Sequence, residues 1–390
     1  MWLASFFHPK AKKWIVGRRI KLSDYSIPET ADVAWFHCAS LGEFDQGLPV
    51  MKTYKNEFPN AFVLVTFFSP SGMEHYHKRD HCVDLAIYLP LDTKIKATAF
   101  VKHFKPKQVF FVKYEFWYNH LKCARRGGAK IYGISSLFRP THRFFKWYGG
   151  FFRNALRFFD HFFTQDLRSK ELLNSIGIQQ VTVSGDTRYD RLMQARNNCP
   201  ANEQIEQFKG NMDTLFIFGS TWSIDLETYK TAIEQVSKTM KVLIAPHNIG
   251  GEHVAEIEQL FPNQTCRYTA GIESEKRILI LDTIGQLTSA YQYADIAYIG
   301  GGHTGNLHNI LEPGSFGVPV IFGPKYSRFP EASLFIQHGV GFSVNTASEF
   351  MTDVEHIQAS KEQLKAKLLQ LFESHQGATQ CILTYLKAQG

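Results

Sequence analysis

The sequence predicts two doubly wound α/β domains, and three observations predict it. At 390 residues the chain is longer than one ordinary hydrophobic core supports. Short apolar runs rich in β-branched and aromatic residues alternate with helix-like segments. A polar stretch near residue 200 interrupts the alternation, which then restarts. Strand–helix alternation on both sides of a linker implies a parallel sheet in each half. Ligands of such sheets bind at the carboxyl ends of the strands, so a cleft with the two domains facing each other across it is the expected site.

The predicted strands of the first half are 33–37, 62–66, 85–89, 109–112, 130–134, 161–164 and 181–183. Residues 194–210, with Asn197, Asn198 and Pro200, read as a linker followed by a helix. The second half continues with strands at 215–218, 242–245, 278–281, 296–299 and 318–322. The segment from Lys361 has helical spacing and is expected to cover the surface. These readings divide the chain into a basic, aromatic segment (1–30), a first domain (31–195), a linker with its following helix (196–210), a second domain (211–372) and a C-terminal helix (373–390).

Composition narrows the partners. Aromatic residues make up 14% of the chain, including 33 Phe. That excess fits either an aromatic core or a surface that meets lipid or a large ligand. Formal net charge is +7. No acidic residue lies between Glu115 and Asp160, an interval that contains Arg139, Arg143, Lys146, Arg153 and other cations. A field of one sign over that length favours an anionic partner: nucleic acid, anionic lipid or a phosphorylated substrate. The six cysteines are scattered without a C-x-x-C pair, so neither a disulfide framework nor a zinc site is expected. No apolar run of membrane-spanning length occurs. The N-terminal apolar run, residues 2–7, precedes Lys10, Lys12, Lys13, Arg18, Arg19 and Lys21. That order is wrong for a signal peptide and suits the edge of an anionic membrane.

Several motifs follow predicted strands. Ala39-Ser40-Leu41-Gly42-Glu43 leads into a helix. Glu43 there is either a general base or the end of a Ser-x-x-Glu capping box. Glu115, within Tyr114-Glu115-Phe116-Trp117, is either an ion-pair partner or a group that orients substrate. Arg188, in Ser184-Gly185-Asp186-Thr187-Arg188-Tyr189-Asp190, either grips a phosphate or carboxylate or pairs with Asp186 or Asp190. Gly219-Ser220-Thr221 and Ala245-Pro246-His247 offer donors at two further strand ends. Gly300, Gly302 and Gly305 match G-x-G-x-x-G between a strand and a helix-like segment, 307–316. The amides of this loop, including Gly301 and Gly302, are candidates to hold a phosphate or carboxylate, as are Ser220 and Thr221. A dinucleotide site ranks low, because Pro324 and Lys325 stand where a ribose-binding acid belongs. Glu312 is better placed for a ribose. His75, His77 and His81 lack a convincing fourth ligand, so no metal site is expected. No D-x-D pair occurs, which favours a metal-free site.

Taken in order, these motifs resemble the 3-deoxy-D-manno-octulosonic acid (Kdo) transferases of lipopolysaccharide synthesis. The resemblance runs through A-S-L-G-E at 39–43, Y-E-F-W at 114–117, S-G-D-T-R-Y-D at 184–190 and G-S-T at 219–221. It continues through A-P-H at 245–247, D-T-I-G-Q-L at 282–287 and H-N-I-L-E-P at 308–313. It implies the GT-B architecture, two Rossmann-like domains, with the acceptor bound by the first and the CMP-sugar donor by the second. It implies metal-independent, inverting transfer of Kdo from CMP-Kdo to lipid IVA, the lipid A precursor, with no cofactor. Glu43 matches the general base, and Glu115 and Arg188 match positions that support the transition state. Pro246, His247, Ile284, Gly285, Gln286, Asn309, Ile310, Leu311 and Glu312 match the CMP-contacting stretches. The chain departs from the family pattern at His247, Gln286 and Trp222, where Arg, Glu and His are common.

The resemblance further implies a peripheral protein on the cytoplasmic face of the inner membrane. Arg139, Arg143, Lys146 and Arg153 are the candidates to meet the membrane and the acceptor. No nucleic acid and no obligate protein partner are expected. A relative acting on another nucleotide sugar is the alternative enzyme. A nucleic-acid-binding protein using the basic, aromatic region is the alternative outside enzymes.

Overall fold

The computed structural model describes residues 14–18, 20–210 and 214–389. The chain forms two compact units, one of residues 1–191 with 375–390, the other of residues 192–374. Each is built on a parallel sheet with helices between successive strands.

In the first unit the strands are β1 (Asp32–Cys38), β2 (Ala61–Phe67), β3 (Leu85–Tyr88), β4 (Gln108–Val112), β5 (Lys130–Ser136), β6 (His161–Thr164) and β7 (Val181–Val183). Their order is β3-β2-β1-β4-β5-β6-β7, and the pairs are parallel. The central strands are apolar on both faces, as a sheet covered by helices on both sides requires. One face packs Trp35, Leu64, Phe100, Phe111 and Leu121 together. The other packs Phe36, Phe44, Val63, Phe110 and Tyr132. Many of the phenylalanines are therefore core, although Trp147, Tyr148 and Phe151 remain exposed.

The second unit contains β8 (Leu215–Thr221), β9 (Lys241–Pro246), β10 (Thr265–Arg267), β11 (Ile278–Ile280), β12 (Ile296–Ile299), β13 (Val320–Phe322) and β14 (Gly341–Ser343). Their order is β10-β11-β9-β8-β12-β13-β14, again parallel. β10 and β14 have no counterpart in the sequence reading. Both are three-residue edge strands, Thr-Cys-Arg and Gly-Phe-Ser, too short and too polar to form an apolar run.

Three stretches differ from expectation. A helix spans Thr187–Asn197, so the polar residues read as the start of a linker close a helix. The segment read as a helix over 307–316 is helical only at Leu311–Ser315, because Asn309 Oδ1 takes the Leu311 amide and starts the helix late. The C-terminal helix Ala378–Gln389 buries Ile382, Leu383 and Leu386 in the core of the first unit. Asp190 holds its start, accepting the amides of Gly377 (2.6 Å) and Thr379 (2.7 Å).

Among the described residues no helix is long and apolar enough to cross a membrane. Residues 2–7 with Lys10, Lys12, Lys13 and Arg19, read as a membrane-proximal segment, lie outside the described residues. Arg18 corrects that reading for itself. Its guanidinium is buried, donates to the carbonyls of Leu89 (3.1 Å), Trp14 (3.0 Å) and Phe68, and lies 3.9 Å from the centre of the Trp14 ring. Burial lowers its pKa to about 10. It anchors the N-terminal turn to the first unit.

Candidate functional site

Each sheet has a central point where its strand order reverses, and the crevice at such a switch point is where doubly wound folds bind ligands. In the first unit the switch lies between β1 and β4. The loop after β1 carries Ser40 to Glu43, and the loop after β4 carries Lys113 to Trp117. Two motifs more than 70 residues apart in sequence thus share one strand end.

Glu43 is the third residue of the helix Leu41–Glu57, whose N-cap is Ser40. The capping box offered by the Ser-x-x-Glu spacing does not form: the Ser40 side chain caps no amide, and its hydroxyl donates to the Glu43 carboxylate. Glu43 is half-buried, so its carboxylate is oriented yet reachable. Glu115 meets different surroundings. Its Oε2 is buried with no hydrogen-bond partner, and burial, then the Glu43 charge, raises its pKa. Lys113, which starts this loop, has φ +74, a strained value for a residue with a side chain.

Behind these loops is a buried network that the sequence reading missed. Trp117 Nε1 donates to His37 Nε2 (3.0 Å), which leaves the ring proton on Nδ1, facing Thr66 Oγ1 at 2.9 Å. Thr66 Oγ1 also accepts from Trp35 Nε1 (2.8 Å). His37 is fully buried, and burial lowers its pKa to about 3. A neutral His37 therefore ties the end of β1 to the loop of Glu115. The only sequence signal was a histidine inside an apolar strand.

Arg188 is paired, one of the two outcomes left open. Asp186 Oδ2 accepts from Arg188 Nε (2.8 Å), and Asp186 Oδ1 accepts from Gln46 (3.1 Å). Burial pushes the Asp186 carboxyl up, but the Arg188 charge and the hydrogen bonds from Arg188 and Gln46 together hold the group below the usual carboxylate range. Arg188 nonetheless remains 31% exposed at its side chain, enough to meet a solute.

The second switch lies between β8 and β12. Ser220 (φ +53) is the penultimate residue of β8, the glycine loop follows β12, and His247 follows β9 on the other side of β8. Here two expectations need correction. The Gly301 amide donates to Asp225 Oδ2 (3.1 Å), a buried carboxylate that also accepts from Trp222 N (2.9 Å). Tyr298 Oη donates to its other oxygen (2.8 Å). The loop's anion is thus supplied by the protein, and Gly301 is no phosphate donor. A Cβ at Gly300 would lie 2.3 Å from the Ser220 carbonyl, so glycine there permits close backbone packing. Gly302 is buried, its position backed against Gly323. Thr221 is likewise buried, with its hydroxyl unpaired, and does not face a solute.

The remaining second-unit residues converge. Glu312 accepts from Asn309 Nδ2 (3.1 Å) and Thr288 Oγ1 (3.2 Å), which ties the 309–312 stretch to the helix after Gln286. Ile284 is 75% exposed beside Gly285, while Gln286 Oε1 accepts from Asn202 (3.1 Å). Pro246 ends β9, and Ile310 and Leu311 are buried supports. His247 stacks on Trp222 with ring centroids 4.2 Å apart and lies 4.6 Å from the His308 ring. Burial, then the neighbouring His253, lowers the His247 pKa; burial, then His247, lowers that of His308 to about 4. Both rings are neutral near pH 7.

Elsewhere, Arg139 and Arg143 are exposed, and Lys146 is half-buried. Arg153 turns back to the carbonyls of Phe144 (3.2 Å) and Lys146 (3.1 Å), so it braces this segment. Among the described residues no three His, Cys, Asp or Glu side chains form a metal-binding group, His75, His77 and His81 included.

Residues 16–191 match the family described as 3-deoxy-D-manno-octulosonic-acid transferase (kdotransferase). A 3-deoxy-D-manno-octulosonic acid transferase of Chlamydophila psittaci is 30% identical over 86% of this chain and 79% of its own length. One from Aquifex aeolicus is 24% identical over 88% of this chain and 90% of its own. In fold, the chain is similar to the UDP-GlcNAc 2-epimerase of Neisseria meningitidis, with a TM-score of 0.67 and 14% identity over 92% of this chain and 100% of that one.

Proposed function

The chain belongs to the 3-deoxy-D-manno-octulosonic acid (Kdo) transferase family, and from that premise we propose that it moves Kdo from CMP-Kdo to lipid IVA, with inversion and without a metal. Kdo transfer in lipopolysaccharide synthesis is the activity common to the family. Donor, acceptor and the parts played by individual residues are our reading.

One observation carries the mechanism: Glu43 is half-buried and oriented by Ser40, while Glu115 on the adjoining loop has a buried, unpaired Oε2 and is pushed towards its neutral form. Carboxyls in such different surroundings suit different tasks. Glu43 takes the proton from an acceptor hydroxyl. That oxygen attacks the anomeric carbon of Kdo from the face opposite the phosphate. The bond from carbon to phosphate oxygen breaks, and its electron pair leaves with CMP. The new glycosidic bond has inverted configuration, and the proton rests on Glu43.

Arg188, oriented by Asp186, supports the negative charge of the donor. On the donor side, Ser220, Pro246, His247, Ile284 to Gln286, Asn309 and Glu312 bind CMP, with Ile310 and Leu311 supporting that stretch from the core. The Glu312 carboxylate, steadied by Asn309 and Thr288, is suited to accept ribose hydroxyl protons. His247 is neutral near pH 7, so it contributes to phosphate binding as a dipole rather than a charge. The exposed cations Arg139 and Arg143 beside exposed aromatics support attachment to an anionic membrane surface, which for this acceptor is the cytoplasmic face of the inner membrane.

Thermal protection separates the donor classes. A ligand at 100 times its Kd stabilises the native state by about 2.7 kcal/mol. CMP should raise the melting temperature and UDP should not; the reverse pattern would exclude CMP-Kdo as donor. A mass spectrum of lipid IVA incubated with the protein and a CMP-Kdo supply then shows whether Kdo is transferred.

A further inference from the structure

The first unit contains a cavity of about 570 Å³ that extends from the Glu115 loop. Its inner wall is aromatic and aliphatic: Phe116, Phe144 and Ala155 belong to or pack on the core. Its outer wall includes Thr141, Arg143 and Phe151, all exposed. The space is therefore open to solvent at one end and apolar at the other. Asp92, a polar group of the lining, is already taken up by the amides of Asn119 and His120 and by the His120 ring. Glu115 borders the cavity too, with its unpaired Oε2.

The segment that forms the mouth also presents large apolar side chains to solvent. Trp147 is 91% exposed, Phe151 60% and Tyr148 56%. Arg139 and Arg143 are exposed on the same segment. Aromatic side chains clustered with cations on a surface suit the boundary between lipid chains and anionic head groups. An apolar cavity opening onto such a surface suits a hydrocarbon chain.

We propose that this cavity binds one acyl chain of an anionic amphiphile, with the head group at the Arg143 end. The inference deepens the acceptor side of the transferase reading, and rests on it for the source of the chain. In that reading the seated chain brings the lipid's head group beside the loop that carries Glu115.

The test uses the whole protein without CMP-Kdo, titrated calorimetrically with dodecyl, decyl and butyl phosphate below their micelle concentrations. Dodecyl phosphate should bind with a stoichiometry of one. Decyl phosphate should bind about 15-fold more weakly, which is ~0.8 kcal/mol for each of two methylenes. Thr141→Trp, at the exposed mouth, should weaken dodecyl phosphate at least about tenfold, while Thr141→Ser should not. Matching circular dichroism and melting temperature show that Thr141→Trp is folded. Butyl phosphate binding as tightly as dodecyl phosphate, or a folded Thr141→Trp protein that binds normally, would overturn the proposal. Kdo transfer by a protein that binds no dodecyl phosphate overturns the cavity's role alone. Dodecyl phosphate binding blocked by Thr141→Trp in a protein that transfers no Kdo supports the cavity and rejects the transferase reading.

Discussion

Glu43 and Glu115 end up at one strand-order reversal, yet their surroundings set them different tasks. Glu43→Gln keeps the shape and the Ser40 contact but removes the base. Turnover should fall by about 10²–10⁴-fold, the usual contribution of a positioned base, with CMP protection unchanged in a thermal melt. Near-normal turnover would reduce Glu43 to a helix-terminus residue. Glu115 makes the opposite kind of prediction. Its folded pKa is raised, so the native state disfavours the ionised form and loses stability as pH rises through the carboxyl range. Glu115→Gln should therefore melt no lower than the parent at pH 7, and higher if the ionised form is populated there. The difference should shrink as pH falls towards 4, while turnover drops. A lower melting temperature at pH 7 would mean that Oε2 has a stabilising partner. The residue types and the strand-end positions of both glutamates were legible in sequence. Their adjacency and the unequal partners of their carboxylates were not, because both depend on β1 and β4 pairing across about 70 residues of chain.

At the scale of elements, the C-terminal helix is held to the first unit by an apolar face and by one carboxylate. Ile382, Leu383 and Leu386 fill the core beside the helix Leu41–Glu57, and Asp190 supplies the two amide contacts at its start. Asp190→Ala leaves both amides without that partner. Loss of a helix cap costs ~0.5–2 kcal/mol, so urea unfolding of the first unit should shift to lower concentration without a change in slope. An unchanged midpoint would show that water replaces the contact. The sequence marked this helix by its spacing, but helical spacing does not say which core the helix joins. The glycine loop illustrates the same limit. Its position after a strand was correctly read, yet its amide at Gly301 serves Asp225, a residue 76 positions earlier. A glycine-rich turn has the same local signature whether its anion is a ligand or a carboxylate of the protein.

For the molecule as a whole, buried and half-buried histidines make acid stability a property of both units. His37 and His161 in the first unit titrate at about 3 and about 4, and His308 in the second at about 4. Their unfolded value is about 6.5. Below pH 6.5 the unfolded chain takes up protons that the native state refuses, so stability falls as pH drops from 6.5 towards 4. Asp186 and Asp295 are held below the usual carboxylate range, so their losses come at lower pH. Calorimetric melts between pH 7.5 and 4.5 should show this decline. His308→Phe, which keeps a ring but cannot titrate, should flatten it for the second unit alone. A melting temperature constant over that range would contradict the burial of these rings.

By itself the sequence determined two parallel α/β units, twelve of the fourteen strands among the described residues, and the strand ends on which the family's motifs fall. These are local properties: apolar runs, glycines and short motifs carry their meaning within a few residues. The tertiary structure alone decided which loops became neighbours and which charges were already committed. It paired Arg188 with Asp186, turned Arg153 to nearby carbonyls, buried Arg18 and joined Gly301 to Asp225. A charged or polar group takes whichever partner folding brings within about 3 Å, and that partner can lie anywhere along the chain.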